Sequence, residues 1–322
     1  MSDALETPPP PSGLPLLAGR YVLERELDAG GTAVIHLAHD LALGLRCAVK
    51  VLKPHAAATP LLRSCFLAGA RAAMGVSHPN VVRVFALDEP SEGPPYAVME
   101  LLLGEPLHVL LARKERLAPE LVVALARGAA RGLAAAHGAG VIHCDVKPEN
   151  LFVVGEPGAT TAKVLDFDLA SMPGAADHDG PLLLRGTAKY MAPEQIVGDR
   201  VDPRTDIYSL GVVLFRLLTG QLPFDLELGA TLLRHHLISP VPPPSWLVDD
   251  LDARLDAIVV RATRKEPDDR YADMQALLAD LDALSLDLAL LSPAPSAAAD
   301  RYAPKTDRAR RAAEALESAV SS

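Results

Sequence analysis

The sequence has little cysteine and no export signal. Its three cysteines, Cys47, Cys65 and Cys144, lie far apart, and none belongs to a Cys-x-x-Cys pair. This spacing argues against a disulfide framework and against a zinc site. Residues 1–13 begin acidic and reach a run of prolines before any long apolar stretch, so a secretory signal is not expected. Both absences favour a reducing compartment, the cytoplasm.

Long hydrophobic runs and positive charge are also scarce. The richest apolar runs, 121–126, 212–218 and 284–291, are much shorter than the roughly 18 to 20 residues that span a bilayer, so no transmembrane helix is expected. The 31 lysines and arginines against 41 aspartates and glutamates give a formal net charge of −10. An acidic surface repels phosphodiester backbones and anionic lipids. Nucleic-acid binding is therefore not expected as the main function.

The sequence does contain enough apolar material for a sizeable core, since 49% of its 322 residues are hydrophobic. This excludes a disordered tail or a fibre. Residues 1–20 are rich in proline and predict a leader segment. Five β-like segments follow, with one helical segment, 61–76, between the third and the fourth. The β-like segments are 21–27, 33–40, 45–52, 81–88 and 95–102. We expect a small five-stranded lobe with one helix.

After residue 104 the apolar residues recur at intervals of three and four, which is typical of long helices. The predicted helices are 119–137, 205–218, 248–263 and 271–290. A second, mainly helical lobe is expected. Between its first two helices lies an irregular stretch, 138–204, which holds most of the polar residues that can do chemistry.

Two polar motifs stand in this irregular stretch. HCDVKPEN at 143–150 is followed by a β-like strand and then by DFD at 166–168. This order resembles the catalytic loop and the metal-binding loop of the protein kinase superfamily. The resemblance implies that Asp145 accepts the proton of a substrate hydroxyl, and that Asn150 and Asp166 hold magnesium against the phosphates of ATP.

Further motifs follow in the order of the same family. Ala-Val-Lys ending at Lys50 resembles the strand lysine that contacts the α- and β-phosphates. GTAKYMAPE at 186–194 resembles the end of the activation segment, and DIYSLG at 206–211 resembles the buried helix that braces the catalytic loop. The resemblance also implies that Arg270 pairs with Glu194.

The resemblance covers residues 21–284 and is nearest to bacterial Ser/Thr kinases of the eukaryotic type. Lys147, two residues after the implied base, resembles Ser/Thr rather than tyrosine kinases. The implied fold is α+β and bilobal, with an antiparallel N-lobe at 21–98, a hinge at 99–104 and a mainly helical C-lobe at 105–284. A low-complexity linker and an exposed helical tail are predicted for 285–322.

The family binds adenine at the hinge through backbone groups, here the carbonyl of Glu100 and the amide and carbonyl of Leu102. Ordinary core packing explains the apolar residue types around this site equally well, and only their positions in the motifs favour a ligand. The residues that the resemblance places at ATP are Leu27, Gly30, Ile35, Ala48, Lys50, Glu100, Leu102 and Phe152.

The glycine-rich loop departs from the family pattern G-x-G-x-x-G. Gly30 is kept, but Asp28 replaces the first glycine and Ala33 replaces the third. A methyl group is tolerable there, whereas a carboxylate close to a polyphosphate adds like-charge repulsion unless it turns outward. Reduced affinity for ATP is expected.

A second departure concerns the helix after the third strand, where the family has a glutamate that pairs with the strand lysine. Gly69 stands at that position, and no Asp or Glu occurs from residue 55 to residue 77. Lys50 can then reach ATP directly or pair with Asp166. Asp168, which replaces the glycine of Asp-Phe-Gly, is a substitute anion or, as we favour, only redirects its loop.

These observations favour a Ser/Thr protein kinase that uses ATP and magnesium and acts on a protein substrate. The alternative is a pseudokinase that works as a scaffold or regulator with a partner protein, and the four departures together motivate it. Phosphotransfer to a small molecule is disfavoured, because the 186–194 and 206–211 motifs resemble the shelf on which a peptide lies.

Overall fold

The computed structural model describes residues 13–91, 93–156, 158–170, 187–226 and 230–291. These fall into two units. Among the described residues, the first unit comprises 13–74 and Arg83–Leu103, and the second comprises Gly75–Val82 and the residues from Gly104 to 291. The leader before residue 13, the glycine that opens the 186–194 motif and the tail after residue 291 lie outside the described residues.

The first unit is built on a six-stranded antiparallel sheet with the order β1-β2-β3-β4-β6-β5. Alternating side chains bury one set of residues on each face, as strand geometry requires. One face holds Tyr21, Val49, Tyr96 and their neighbours, and the other packs against helix α2. The elements are β1 Leu16–Leu17, β2 Tyr21–Ala29, β3 Ala33–Asp40, β4 Leu45–Leu52, α1 Pro54–Ala57, α2 Pro60–Met74, β5 Val84–Asp88 and β6 Tyr96–Met99.

Two features of the first unit differ from the sequence prediction. A sixth strand, Leu16–Leu17, lies inside the predicted leader, where it pairs with Tyr21 and Val22. In addition, 75–82 packs with the second unit: Val82 N donates to Val164 O at 2.9 Å, and Val164 N donates to Asn80 O at 2.8 Å. Val81 and Val82 are therefore buried in the second unit. Their pattern had predicted a strand in the sheet of the first unit.

The second unit is mainly helical and carries a small three-stranded sheet with the order β7-β8-β9. Its predicted long helices are present, although α8 begins at Ala253, where Asp252 Oδ1 accepts a hydrogen bond from Arg254 N at 2.9 Å. Helices α3, α5 and α7 are short, and the periodicity did not predict them. The elements are β7 Gly104–Pro106, α3 Leu107–Arg113, α4 Pro119–Gly138, β8 Leu151–Val154, β9 Thr161–Val164, α5 Pro193–Val197, α6 Pro203–Thr219, α7 Ala230–Ile238, α8 Ala253–Ala262 and α9 Met274–Leu291.

This architecture, an antiparallel sheet unit followed by a mainly helical unit, confirms the α+β fold class. No helix within the described parts of the chain is both long enough and apolar enough to cross a bilayer.

Two glycines let helix α4 approach β9 closely. A Cβ atom on Gly132 would lie 2.4 Å from Asn80 O, and one on Gly128 would lie 2.6 Å from Ala162 N. Backbone atoms cannot move aside as a flexible side chain can. The absence of side chains at these positions therefore sets the distance between α4 and the strand that leads to Asp166.

We expect Gly132→Ala to lower the free energy of unfolding by about 1–3 kcal/mol, because the new methyl group overpacks this contact. Gly138→Ala is the matched control on the same helix, since a Cβ atom at Gly138 would meet no neighbour within 4 Å. Helix propensity should make that variant neutral or about 1 kcal/mol more stable. Urea denaturation of both variants checks this, and equal effects would contradict the close approach.

Candidate active site

The backbone of the 143–150 loop is held by a buried carboxylate. Asp206, in the first turn of α6, accepts a hydrogen bond from His143 N through Oδ2 and one from Cys144 N through Oδ1, each at 2.8 Å. Its Oδ2 also lies 2.7 Å from His137 Nε2. Cys144 takes a left-handed φ of 63°, which a non-glycine residue adopts only at some cost. The predicted brace beneath the loop is confirmed.

Asp206 is fully buried, and burial alone would raise its pKa. The hydrogen bond and positive field of His137, with the amide of His143, outweigh burial and hold the pKa of Asp206 below its usual value. Asp206 is therefore ionised at neutral pH.

Asp145 projects from this braced loop with its two oxygens in different environments. Oδ2 accepts hydrogen bonds from Lys147 Nζ at 2.6 Å and from Asn150 Nδ2 at 2.9 Å. Oδ1 is buried and has no hydrogen-bond partner among the residues that the structure describes. A buried acceptor without a partner is costly in a folded protein. Oδ1 thus keeps an unused capacity to accept a hydrogen bond.

Asn150 and Asp166 are brought together by strand pairing and the adjoining loop. Asn150 Nδ2 donates to Asp145 O at 2.8 Å and to Asp145 Oδ2 at 2.9 Å, so the Asn150 amide group is oriented by Asp145. Leu165 N donates to Asn150 O at 2.8 Å, and Asp166 is the residue that directly follows Leu165 in the chain. Asp166 has a φ of 53° and accepts a hydrogen bond from Asp168 N through Oδ1 at 3.2 Å.

One amide oxygen and one carboxylate fit magnesium, which prefers oxygen ligands and retains several from water or phosphate. Within the described ranges, no group of three or more His, Cys, Asp and Glu side chains is placed to bind a metal. The residues therefore fit a cation that comes with a phosphate ligand better than a metal held by protein alone.

The neighbouring sheet positions two more residues of the second unit. Phe152 is half-buried on β8, opposite Pro106 and Lys163. Glu105 on β7 forms an ion pair with Arg113, with Oε1 2.5 Å from Nη2.

In the first unit, strand register places Ile35, Ala48 and Lys50 on one face of the sheet. Ile35 pairs with Lys50, and Ala48 lies two residues before Lys50 on β4. Residues two apart on a strand, and residues directly paired across strands, point to the same side. Of the predicted nucleotide contacts in this unit, these three are therefore brought onto a common surface, while Leu27 is exposed on β2.

The glycine-rich loop forms a tight turn between β2 and β3. Gly30 N donates to Ala33 O at 3.0 Å, and Lys53 Nζ donates to Gly30 O at 2.7 Å. The Asp28 carboxylate is exposed and accepts a hydrogen bond from Ala29 N at 2.8 Å. Because the Asp28 carboxylate is exposed, water and salt screen its charge, and this weakens the repulsion that its sequence position predicts.

The segment after β6 leaves backbone groups of Leu102 available. Glu100 is tied to Arg83: Glu100 N donates to Arg83 O at 2.9 Å, and Glu100 Oε1 accepts from Arg83 N at 2.8 Å. By contrast, neither the amide nor the carbonyl of Leu102 is hydrogen-bonded within the described parts of the chain. A donor and an acceptor in one residue fit the edge of a flat heterocycle such as adenine.

Gly69 is buried on α2, at the place where the family pattern has a glutamate. The helix instead brings an aromatic ring to the strand lysine, since Lys50 Nζ lies 5.7 Å from the centroid of the Phe66 ring.

A buried ion pair secures the C-terminal part of the 186–194 motif. Arg270 Nη1 lies 2.7 Å from Glu194 Oε1, and Nη2 lies 2.8 Å from Oε2. Thr205 Oγ1 donates to Glu194 Oε1 at 2.8 Å, and Arg270 also donates to the carbonyl oxygens of Arg264, Lys265 and Arg204. The pairing predicted from the sequence is confirmed. Because these polar groups are satisfied, the pair is stable in spite of its burial.

Sequence reasoning missed three side chains that shape the site. His137 contacts Asp206, Gln195 Nε2 donates to Cys144 O at 2.8 Å, and Phe66 contacts Lys50. All three are distant in sequence from the atoms they contact, so no local spacing signals them.

The protein kinase domain family matches residues 21–279. The chain belongs to this family. It is 40% identical over 262 residues to the serine/threonine-protein kinase Pkn1 of Myxococcus xanthus, which covers 80% of this chain and 37% of the relative. It is 36% identical over 299 residues to PknL of Mycobacterium tuberculosis, covering 92% and 74%. PknB of Mycobacterium leprae is 36% identical over 272 residues, covering 83% and 43%.

The chain thus spans less than half of Pkn1 and of PknB and about three quarters of PknL. The protein kinase fold and the relationship to bacterial Ser/Thr kinases, both predicted from the motifs, are confirmed.

We expect Asp206→Asn to reduce the free energy of unfolding at about pH 7 by about 2–4 kcal/mol, because it removes a buried charge that three donors hold. Since the folded-state pKa is lowered, the carboxylate stabilises the fold above the usual value of 3.8 and this contribution is lost as the pH falls below it. The variant should therefore lose less stability on acidification than the wild type.

Urea denaturation between about pH 7 and about pH 3 measures both effects. Asp268→Asn is the control, because the side chain of Asp268 is 93% exposed in its pair with Arg204 and should follow the wild-type curve. Parallel curves for Asp206→Asn and the wild type would contradict the assignment.

Proposed function

We propose that this chain transfers the γ-phosphoryl group of Mg·ATP to a serine or threonine hydroxyl of a protein. The observation that carries the proposal is the asymmetry of Asp145. Its Oδ2 is held by Lys147 and Asn150, and its Oδ1 is buried with no partner within the described residues. Such a carboxylate is oriented and short of one proton donor, which a substrate hydroxyl supplies.

In the proposed reaction Asp145 Oδ1 accepts the hydroxyl proton as the hydroxyl oxygen bonds to phosphorus, and the bond from phosphorus to the leaving oxygen breaks. Lys147, which lies against Oδ2, keeps a positive charge beside the group that moves. Bound Mg·ATP supplies the electrophilic phosphorus and the neutralising metal charge. Asp206 contributes by holding the loop backbone, so that Asp145 loses little conformational freedom on binding.

The remaining predicted site residues divide between two tasks. Asn150 and Asp166 would bind magnesium through their side-chain oxygens. In the first unit, Lys50 would contact phosphate, and Leu102 would hydrogen-bond adenine beside the Glu100 carbonyl. Apolar contact with the nucleotide would come from Leu27, Ile35, Ala48 and Phe152, with Gly30 at the phosphates.

The pseudokinase alternative gains no better support from the comparisons, since the matched relatives named above are Ser/Thr protein kinases by name. The four departures, at Asp28, Ala33, Gly69 and Asp168, leave Asp145 and its partners in place. We therefore infer that the chain is a kinase. These departures should lower its affinity for the nucleotide and leave its proton transfer unchanged.

We expect Asp145→Asn to reduce phosphoryl transfer by about 10²–10⁴-fold, because an amide cannot accept the proton. The variant should keep its stabilisation by Mg·ATP, because Asp145 does not hold the nucleotide. Intact-mass spectrometry with a basic acceptor protein measures transfer, and thermal unfolding with and without Mg·ATP measures binding.

Glu149→Gln serves as the control, since Glu149 lies in the same loop but is exposed. It should bind Mg·ATP as the wild type does and retain transfer. Absence of both transfer and stabilisation by Mg·ATP in the wild type would overturn the proposal and favour a scaffold.

A further inference from the structure

We propose that the aromatic face of Phe66 is a positioning group for Lys50, in the role that a carboxylate on helix α2 would otherwise fill. This inference rests on the proposed function only in assigning phosphate as the ligand of Lys50. The contact itself lies entirely within the first unit.

Lys50 carries a charge on a side chain that is largely buried in the first unit. Only 9% of the residue is exposed, and its strand partners Ile35 and Ala97 are apolar. Removing an ammonium group from water is costly unless other groups stabilise the charge. The negative face of an aromatic ring within about 6 Å of a cation is one such group, and its effect grows as water is excluded.

Phe66 meets these conditions. Its ring centroid lies 5.7 Å from Lys50 Nζ, and the residue is only 1% exposed. Because the Phe66 ring is almost completely buried, water does not reach it and does not weaken its attraction to the ammonium group of Lys50. Because α2 carries no Asp or Glu, the helix contributes to Lys50 through this ring and not through an ion pair.

The ring is itself fixed by packing. Phe66 belongs to a cluster between α2 and the sheet whose other buried members are Leu52, Ala56, Leu67, Ala70 and Ala97. Leu52 lies two residues after Lys50 on β4, so the cluster covers the same face of the sheet as Lys50. Packing between the helix and the strand thus fixes the position of the ring relative to the lysine.

A ring and a carboxylate differ in their consequences. A carboxylate neutralises the ammonium charge and can lose its own charge on protonation, whereas a ring orients the ammonium without neutralising it. Loss of the ring should therefore weaken Mg·ATP binding more than it slows phosphoryl transfer at saturating nucleotide.

The contact is tested first without nucleotide. In protein labelled with ¹³C at lysine Cε, the Lys50 resonance, assigned with Lys50→Met, should be shifted upfield by the ring. Phe66→Leu should abolish that shift. A Lys50 resonance at the position of the exposed lysines in the wild type would overturn the proposal.

The function of the contact is tested by the dissociation constant of Mg·ATP, measured by calorimetry. We expect Phe66→Leu to raise it by about three- to thirty-fold, and a trifluorinated Phe66 ring, close in size but with a weaker negative face, to fall in between. Leu62→Ala is the control, since Leu62 packs against the same cluster without a ring. It should lower stability and leave the dissociation constant within about twofold.

A rescue separates positioning from simple packing. Gly69→Glu in the Phe66→Leu background supplies a carboxylate on the same helix and should restore affinity toward the wild-type value. Equal dissociation constants for the wild type and Phe66→Leu would overturn the proposal, as would equal loss in Phe66→Leu and Leu62→Ala. If the wild type binds Mg·ATP with this dependence on Phe66 but transfers no phosphate, the proposed function fails and the role of Phe66 stands.

Discussion

The buried carboxylate of Asp206 is the interaction on which the geometry of the site depends. It receives two consecutive backbone amides of the loop and a histidine side chain, and these donors outweigh the cost of burying a charge. The loop can therefore keep Cys144 in a left-handed conformation. The same loop carries Asp145, Lys147 and Asn150, which are hydrogen-bonded to one another. Of the two Asp145 carboxylate oxygens, Oδ1 has no hydrogen-bond partner within the described residues.

Two other constraints hold the surroundings of that loop. The Glu194–Arg270 pair is buried with its polar groups satisfied, and it ties α5 to the segment before α9. Gly128 and Gly132 let α4 lie against β9. This contact with α4 fixes the position of the strand that leads to Asp166. A braced loop, a buried ion pair and a close helix contact together fix the geometry of the segment that carries Asp145, which is the preorganisation that the proposed function requires.

The departures from the family pattern lie mostly in the first unit, whereas the braced loop belongs to the second. Asp28 turns its carboxylate onto a neighbouring amide, and α2 offers Lys50 the ring of Phe66. Neither change replaces a residue of the braced loop, in which Asp145, Lys147 and Asn150 are all present. This distribution agrees better with the kinase activity proposed above than with a general decay of the site.

The sequence by itself determined the fold class, the family, most long strands and helices and the residues of the braced loop, because these depend on local periodicity and on fixed spacing along the chain. The Glu194–Arg270 pair also followed from its motif. Only the tertiary structure decided that residues 75–82 join the helical unit, that Leu16–Leu17 adds a strand, and that His137, Gln195 and Phe66 contact the site. These contacts join residues distant in the chain, and their geometry arises only when helices and strands pack.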